Sequence, residues 1–328
     1  MRYREATPSD VLAIADLFGG RNALPLEPAV REALPEVLGR LLASPACHLT
    51  VFEEEDRSGL RVISFAGGLF PRREIVDAYL AAPFPSFLSR VLASLHRGQS
   101  PLLTLDDIRK TNSGEGLDLA IFPIPLGTLD WSDARAEQLR KLAPQAFVRA
   151  EGGYRIRAMY YEVFTDEVAA YLQSGGYRLL HDFSSRAGTG FIPQNSRPRM
   201  LRLTAQDLPP AAMSMASQMF NPPAARLGLT IAEQRVVLRA LDGTSDRMIA
   251  DALGLSTETV RSNWRSIYRR LDQVLAGIGS HAGTGDDTAR GLEKRRVAVE
   301  YLRQNMHELR PARVFPRRNG RGTDAGNP

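Results

Sequence analysis

Between Leu229 and Leu271 the chain carries three short amphipathic segments, punctuated by capping residues and glycines and separated only by tight turns. That punctuation leaves few ways to fold and predicts three helices packed as one small unit. Thr230 and Glu233 form a T-x-x-E capping box, which satisfies free backbone N–H groups at a helix start. Val236, Val237, Ala240 and Leu241 give this first helix an apolar face, and Gly243 ends it. Ser245 caps a second helix whose Ile249, Ala250 and Leu253 face inward. Gly254 breaks that helix, and Ser256 caps the third. There Val260, Trp264, Ile267 and Leu271 recur at steps of four, three and four, which makes one buried stripe.

Opposite that stripe stand Arg261, Ser262, Arg265 and Arg269, with Thr257 and Glu258 at the helix start. An α-helix fits the major groove of DNA, where arginine pairs with guanine in a fork and also reaches phosphate. The expected DNA contacts are therefore Thr257, Glu258, Arg261, Ser262, Arg265 and Arg269, with Arg269 and Arg270 directed toward phosphate. Trp264 belongs to the apolar stripe and is assigned to the core. A three-helix packing element is the other reading, but packing does not call for arginines every fourth residue on an exposed face.

These residues resemble the LuxR-type (GerE, NarL-like) helix-turn-helix. The chain shares with it Leu229, Thr230, Glu233, Gly243, Ile249, Ala250, Leu253, Ser256, Thr259, Val260, Ile267 and Leu271, without a gap. The resemblance implies a sequence-specific transcriptional regulator that binds double-stranded DNA as a homodimer. It also implies a fourth helix soon after the third. Here LDQVLAGIGSHAGTGDDTAR intervenes, and a helix is expected from about Leu292 to Leu309, with Val297, Tyr301 and Leu302 as its inner face and a two-fold contact along that stripe. The run GLEKRRVAVEYLRQNMHELRP resembles a subgroup of these regulators that ends in a basic helix and a Glu-Leu-Arg-Pro tail. Lys294, Arg295 and Arg296 are either phosphate contacts or a solvated helix start.

The chain's 328 residues are enough for two domains with full cores. No apolar run approaches the roughly 20 residues that cross a membrane, and MRYREATPSD is not an apolar signal segment. Cys47 is the only cysteine, and the five histidines form no metal-ligand pair at helical spacing. No metal, no cofactor and a cytoplasmic location are expected. The net charge is +5, and the excess of Lys and Arg over Asp and Glu lies entirely in residues 221–328. A phosphate-facing role therefore belongs to that third of the chain.

Residues 1–205 read as α+β. A strand at Met1–Glu5 precedes a helix that TPSD starts before VLAIADLF. A helix is expected at Glu27–Leu42, a strand pair at His48–Glu54 and Arg61–Gly68, and a strand at Leu117–Pro125. Then come helix Asp133–Phe147, strand Arg157–Phe164, helix Thr165–Gln173, and closing strands Tyr177–Phe183 and Met200–Thr204. The order resembles the GNAT acyltransferase fold. RYREATPSDVLAIADLF is similar to that family's opening strand and helix, and YYEVFTDEVAAYLQSGGYRLLHDF to its late strand, helix, Gly-Tyr/Phe and strand. The resemblance implies a mixed sheet with helices and, as the alternative function, an N-acyltransferase joined to a DNA-binding unit.

The family binds coenzyme A through an Arg/Gln-x-x-Gly-x-Gly/Ala loop whose bare amides approach the pyrophosphate at a helix start. Here PLGTLDWSDARAEQL offers Gly127 alone and sets Asp130 and Asp133 beside that start. These acids repel a pyrophosphate, so a ligand-sensing or interaction domain without catalytic residues is expected. Tyr171 falls near the family's general-acid tyrosine, but with Ala170 and Leu172 beside it the spacing suits packing equally. His181, Asp182 and Ser184 are sequence neighbours, which does not make a triad. Tryptophans occur only at 131 and 264 and do not fit an autoinducer-binding domain. Neither the acids of a receiver domain nor a Walker-type phosphate loop is evident.

The predicted organisation is residues 1–205 as a sensory or interaction domain, 206–226 as a linker, 227–310 as an all-α helix-turn-helix domain, and 311–328 as a disordered basic tail. In the linker, Pro209–Pro210 and Pro222–Pro223 bracket Met213, Met215, Met219 and Phe220. That segment is either a plain linker helix or a relay packed between the domains.

Overall fold

The computed structural model describes residues 1–18, 23–56, 59–126, 130–208, 219–276 and 287–311. The expectations for Met213, Met215, the glycine-rich stretch 277–286 and the tail from Ala312 lie outside the described residues.

Helices α1 (Val11–Leu17), α2 (Pro28–Glu32) and α3 (Leu34–Ala43) follow strand β1 (Arg2–Glu5). The single helix expected over 27–42 breaks at Ala33. Pro35 has no N–H to give the carbonyl four residues back, so the helix restarts there. The long antiparallel pair β2 (Cys47–Asp56) and β3 (Gly59–Leu69) comes next, with a register shift between Phe52 and Glu53. Three helices then intervene, α4 (Arg73–Ala81), α5 (Phe87–His96) and α6 (Leu105–Asn112), before β4 (Leu117–Ile121). Helix α7 (Ala134–Glu151) crosses from β4 to β5 (Ile156–Val163), and α8 (Asp166–Ser174) leads to β6 (Arg178–Asp182) and β7 (Arg199–Thr204).

The seven strands form one sheet in the order β1-β2-β3-β4-β5-β7-β6. All neighbours are antiparallel except β4 and β5, which run parallel. Parallel neighbours require a crossover of at least a helix, and α7 provides it. β4, Leu-Asp-Leu-Ala-Ile, is buried along its whole length, as a central strand covered on both faces must be. One face packs Val51 and Phe65 against Leu38 and Leu92. The other packs Phe52 and Ala66 against Leu139 and Ala143 of α7. The N-terminal part is thus a mixed sheet with helices on both faces. This is the arrangement that the sequence resemblance implied.

The C-terminal part is helical: α9 (Ile231–Ala240), α10 (Asp246–Leu253), α11 (Thr257–Ala276) and α12 (Asp287–Gln304), then a single tight turn at Met306–Leu309. The caps stand where the sequence puts them. Thr230 and Glu233 close a capping box on α9, and the Ser245 hydroxyl accepts the Met248 N–H. Gly254 ends α10 at φ +64, a conformation that favours glycine. Val260, Trp264, Ile267 and Leu271 are all buried.

The last helix differs from expectation. It starts earlier, at Asp287, and its inner face is Ala298 and Leu302, both wholly buried, with Tyr301 half-buried against the same core as expected, while Val297 is 40% exposed. Leu302 packs inside its own helical unit and is not free for a two-fold contact. Among the described residues no helix is long and apolar enough to cross a membrane.

Candidate functional site

The apolar stripe of α11 fixes which side of that helix faces outward. Glu258, Arg261, Ser262, Arg265 and Arg269 are exposed, and Thr257 is half-buried. Ser256 starts the helix, its hydroxyl accepting the Thr259 N–H at 3.0 Å. The structure thus brings the six residues singled out by sequence onto one outward surface. Arg261 and Arg265 keep about two-thirds of their side-chain surface, at 66% and 64%. Glu258 pairs with Arg265 and lies 3.9 Å from Arg261. A row of guanidinium groups one turn apart can engage a polyanion.

Three other arginines have structural roles. Arg295 bonds Asp246 at 2.6 Å and the Thr244 carbonyl at 2.9 Å, and it stacks 5.1 Å over the Trp264 ring. Arg270 donates to the carbonyls of Leu227 and Gly228. At these two positions each guanidinium already ties down a helix or the segment that leads into α9. Arg296 pairs with Glu293 on the same helix.

The third, Arg310, is 4% exposed and joins the two parts of the chain. It donates to the Gly152 carbonyl at 2.7 Å and the Arg149 carbonyl at 2.8 Å, and its guanidinium lies 4.7 Å over the Tyr154 ring. Tyr154 in turn stacks on His48, which contacts the fully buried Glu151 at 3.1 Å. Gly153 sits at φ +87 under the Met306–Leu309 turn, and a Cβ there would lie 2.4 Å from the His307 nitrogen. Arg149 pairs with Asp242, and Arg239 reaches Glu5 at 3.1 Å. Pro311, assigned by sequence to a disordered tail, accepts a hydrogen bond from Asn112 at 3.1 Å.

A cavity of about 430 Å³ lies where α7 and α8 cover the parallel pair. Met159 and Tyr161 of β5 form its floor. Leu139, Ala143 and Phe147 of α7 form one wall and Leu172 of α8 another. Trp131 and Tyr171 meet edge-on at 5.7 Å, and Tyr171 is 45% exposed. Met219 also lines the cavity and, with Phe220, is buried in this domain's core.

Coenzyme A is the group that the fold resemblance implies here, and the residues do not fit it. The Asp133 carboxylate accepts the Asp130 N–H at 2.6 Å, so an acid already occupies the turn before α7. Arg140, the one cation among the described lining residues, donates to the Trp131 carbonyl at 2.6 Å and lies 4.3 Å over the Trp131 ring. Gly127 lies outside the described residues.

Glu162, the next residue after Tyr161, points to the opposite face because strand side chains alternate. It is wholly buried and accepts the backbone N–H groups of Ser86, Phe87 and Leu88 at the start of α5. Burial pushes its carboxyl up to about 8, against those three N–H groups, which favour the charged form. A carboxyl raised in the folded state favours folding below its ordinary pKa, and that advantage is lost as pH rises toward 8. Urea unfolding of the wild type should therefore show stability falling by on the order of a few kcal/mol between pH 5 and pH 8. Glu162→Gln should flatten that fall and be the more stable protein at pH 8. Parallel pH profiles for the two proteins would show that Glu162 does not titrate in this range.

No family model matches the chain, and no curated protein matches it. Solved structures similar to its first part include Arabidopsis thaliana NAA60 in complex with acetyl-CoA, at 13% identity and a TM-score of 0.40, covering 62% of this chain and 98% of that one. The spermidine/spermine N-acetyltransferase SpeG of Vibrio cholerae is 11% identical with a TM-score of 0.36, covering 62% and 94%. A GNAT-family acetyltransferase of Streptococcus pneumoniae is 14% identical with a TM-score of 0.34, covering 62% and 98%.

Proposed function

We propose that the chain is a cytoplasmic, sequence-specific DNA-binding regulator that reads the major groove with α11 and carries a sensory α/β domain. The observation that supports this most directly is the outward row of Arg261, Arg265 and Arg269, backed by a fully buried stripe on the same helix. Guanidinium groups at the outer face of a helix capped by Ser256 suit guanine edges and phosphates. The basic excess of residues 221–328 adds counter-charge for the DNA backbone.

The test is DNA affinity measured against salt. Arg269→Ala should weaken binding to every sequence alike and lower the salt slope by about one, as loss of one phosphate contact does. Arg261→Ala and Arg265→Ala should weaken a selected operator more than random DNA. Fluorescence anisotropy on labelled duplexes reads both effects. No DNA binding by the wild type at low salt would remove the proposal.

A second reading is an acyltransferase. What favours it is Tyr171 with Trp131 at the cavity, near the place the family keeps a general-acid tyrosine. That reading requires coenzyme A. With Asp133 in the turn before α7 and Arg140 committed to Trp131, acetyl-coenzyme A should give no heat in calorimetry and no thermal shift. A saturable isotherm would move the assignment to the enzyme.

A further inference from the structure

We propose that the cavity between α7, α8 and the sheet binds an uncharged apolar small molecule, and that α7 carries its occupancy to the helical unit through Arg310. The ligand class follows from the lining. Among the described residues the walls are aliphatic and aromatic, and the Arg140 guanidinium is turned onto the Trp131 carbonyl and ring. The Tyr177 hydroxyl lies 3.6 Å from the Met159 sulfur, and burial raises Tyr161 and Tyr177 well above the ordinary phenol range, so both stay neutral. A charged ligand would leave water for a lining that, among the described residues, is almost wholly apolar, which is strongly unfavourable. An apolar one exchanges water for ring and methyl contacts. The volume lies within the range of small-molecule sites.

The relay follows from how α7 is shared. Leu139, Ala143, Phe147 and Val148 face the cavity, and the Arg149 and Gly152 carbonyls that hold Arg310 come within the next turn. Pro144 lies inside α7 and cannot donate to the Arg140 carbonyl. A proline inside a helix is a common cause of a kink. The last turns of α7, which carry Phe147, Val148 and the clamp on Arg310, can therefore shift relative to the first. A ligand wedged against Phe147 and Val148 would displace them. Arg310 cannot stay in place if its two carbonyls move. Its own backbone carbonyl is bonded by the Gln234 amide of α9 at 3.1 Å.

The inference rests on the regulator reading only for the meaning of the output. The experiment uses the full chain and no DNA, so the two can fail separately. The neutral dye N-phenylnaphthylamine should bind saturably, with a dissociation constant on the order of micromolar. Ala143→Phe fills the cavity and should weaken binding about tenfold or more. Ser174→Trp, on an exposed lining residue, should do the same without touching the core. Coenzyme A should not displace the dye. Amide hydrogen exchange in residues 226–234 and 304–311 should change when dye is added. In Arg310→Ala the dye should bind as in wild type while that exchange change disappears.

No saturable binding, or binding unaltered in both folded cavity variants, overturns the site. Displacement by coenzyme A overturns the ligand class. Exchange that ignores the dye, or follows it equally in Arg310→Ala, overturns the relay. A chain that passes all of these yet does not bind DNA refutes the regulator reading alone.

Discussion

Leu302→Asp is expected to unfold the helical unit, and Val297→Asp is expected to leave it folded. Leu302 has no exposed surface and packs with Trp264, Ile267 and Leu271. An aspartate there would bury a carboxylate with no partner, a change that costs about 4 kcal/mol or more and exceeds what a small domain can spare. Val297, five residues earlier, is 40% exposed and can turn a carboxylate to water. Circular dichroism melts of the two full-length variants read the contrast. Leu302→Asp should lose a helical transition that Val297→Asp keeps. Should Val297→Asp alone lose DNA affinity, with its fold intact, the exposed side of α12 becomes the place for a two-fold contact. Equal stability of the two variants would mean that α12 packs differently from the structure described.

The contrast also shows where sequence reading stops. Large apolar side chains, Val297, Tyr301 and Leu302, point to an inner face, yet the helix turns so that Ala298 and Leu302 go in. Alanine carries too little apolar signal to mark a face by itself. In α9, α10 and α11 the signals were local and strong. Thr230, Ser245 and Ser256 cap, Gly243 and Gly254 follow helix ends, and the stripe from Val260 to Leu271 is buried as its period demands.

Helices α4, α5 and α6 are missing from the sequence expectation, although α6 carries a Thr104–Asp107 capping box as local as that of α9. α5 begins at Ser86, a non-glycine residue held at φ +66. That backbone is uncommon for serine, and what it meets is the Glu162 carboxylate, 76 residues away in sequence. Among the site residues, the outward arginines of α11 were readable because a helix period assigns them. Arg270, Arg295 and Arg310 were not. All three are basic residues in a basic segment, and only their distant partners separate them from surface charge. For Arg310 those partners are the carbonyls of Arg149 and Gly152. The cavity was equally hidden, since its lining joins β5, α7, α8 and the linker residue Met219.

Glu308 should be the most sensitive single position in the joint. Its carboxylate has no exposed surface and accepts the backbone N–H of Arg226 at 2.9 Å and of Leu227 at 2.8 Å. Those two amides lie in the segment that leads into α9, so the stretch before Thr230 is tied to the turn after α12. Glu308→Ala removes the acceptor and leaves the Leu227 N–H buried and the Arg226 N–H part-buried, both without it. Each unmet donor costs about 1–3 kcal/mol, and bonds to a charged acceptor lie at the upper end. A loss of roughly 3–5 kcal/mol is expected, and for a unit this small each kcal/mol lowers the melting temperature by roughly 4–8 °C. Glu308→Gln keeps one oxygen acceptor and should lose clearly less. Arg310→Ala, two residues on, should behave differently. It frees two carbonyls of the α/β domain and an aromatic face, Tyr154, but the helical unit's own core is untouched. In calorimetry Glu308→Ala should lower the transition of the helical unit. Arg310→Ala should leave each domain's transition near its wild-type temperature and separate the two. Were Glu308→Ala to melt like wild type, the carboxylate would not be holding that segment, and the Arg226–Glu308 tie would be incidental to the fold.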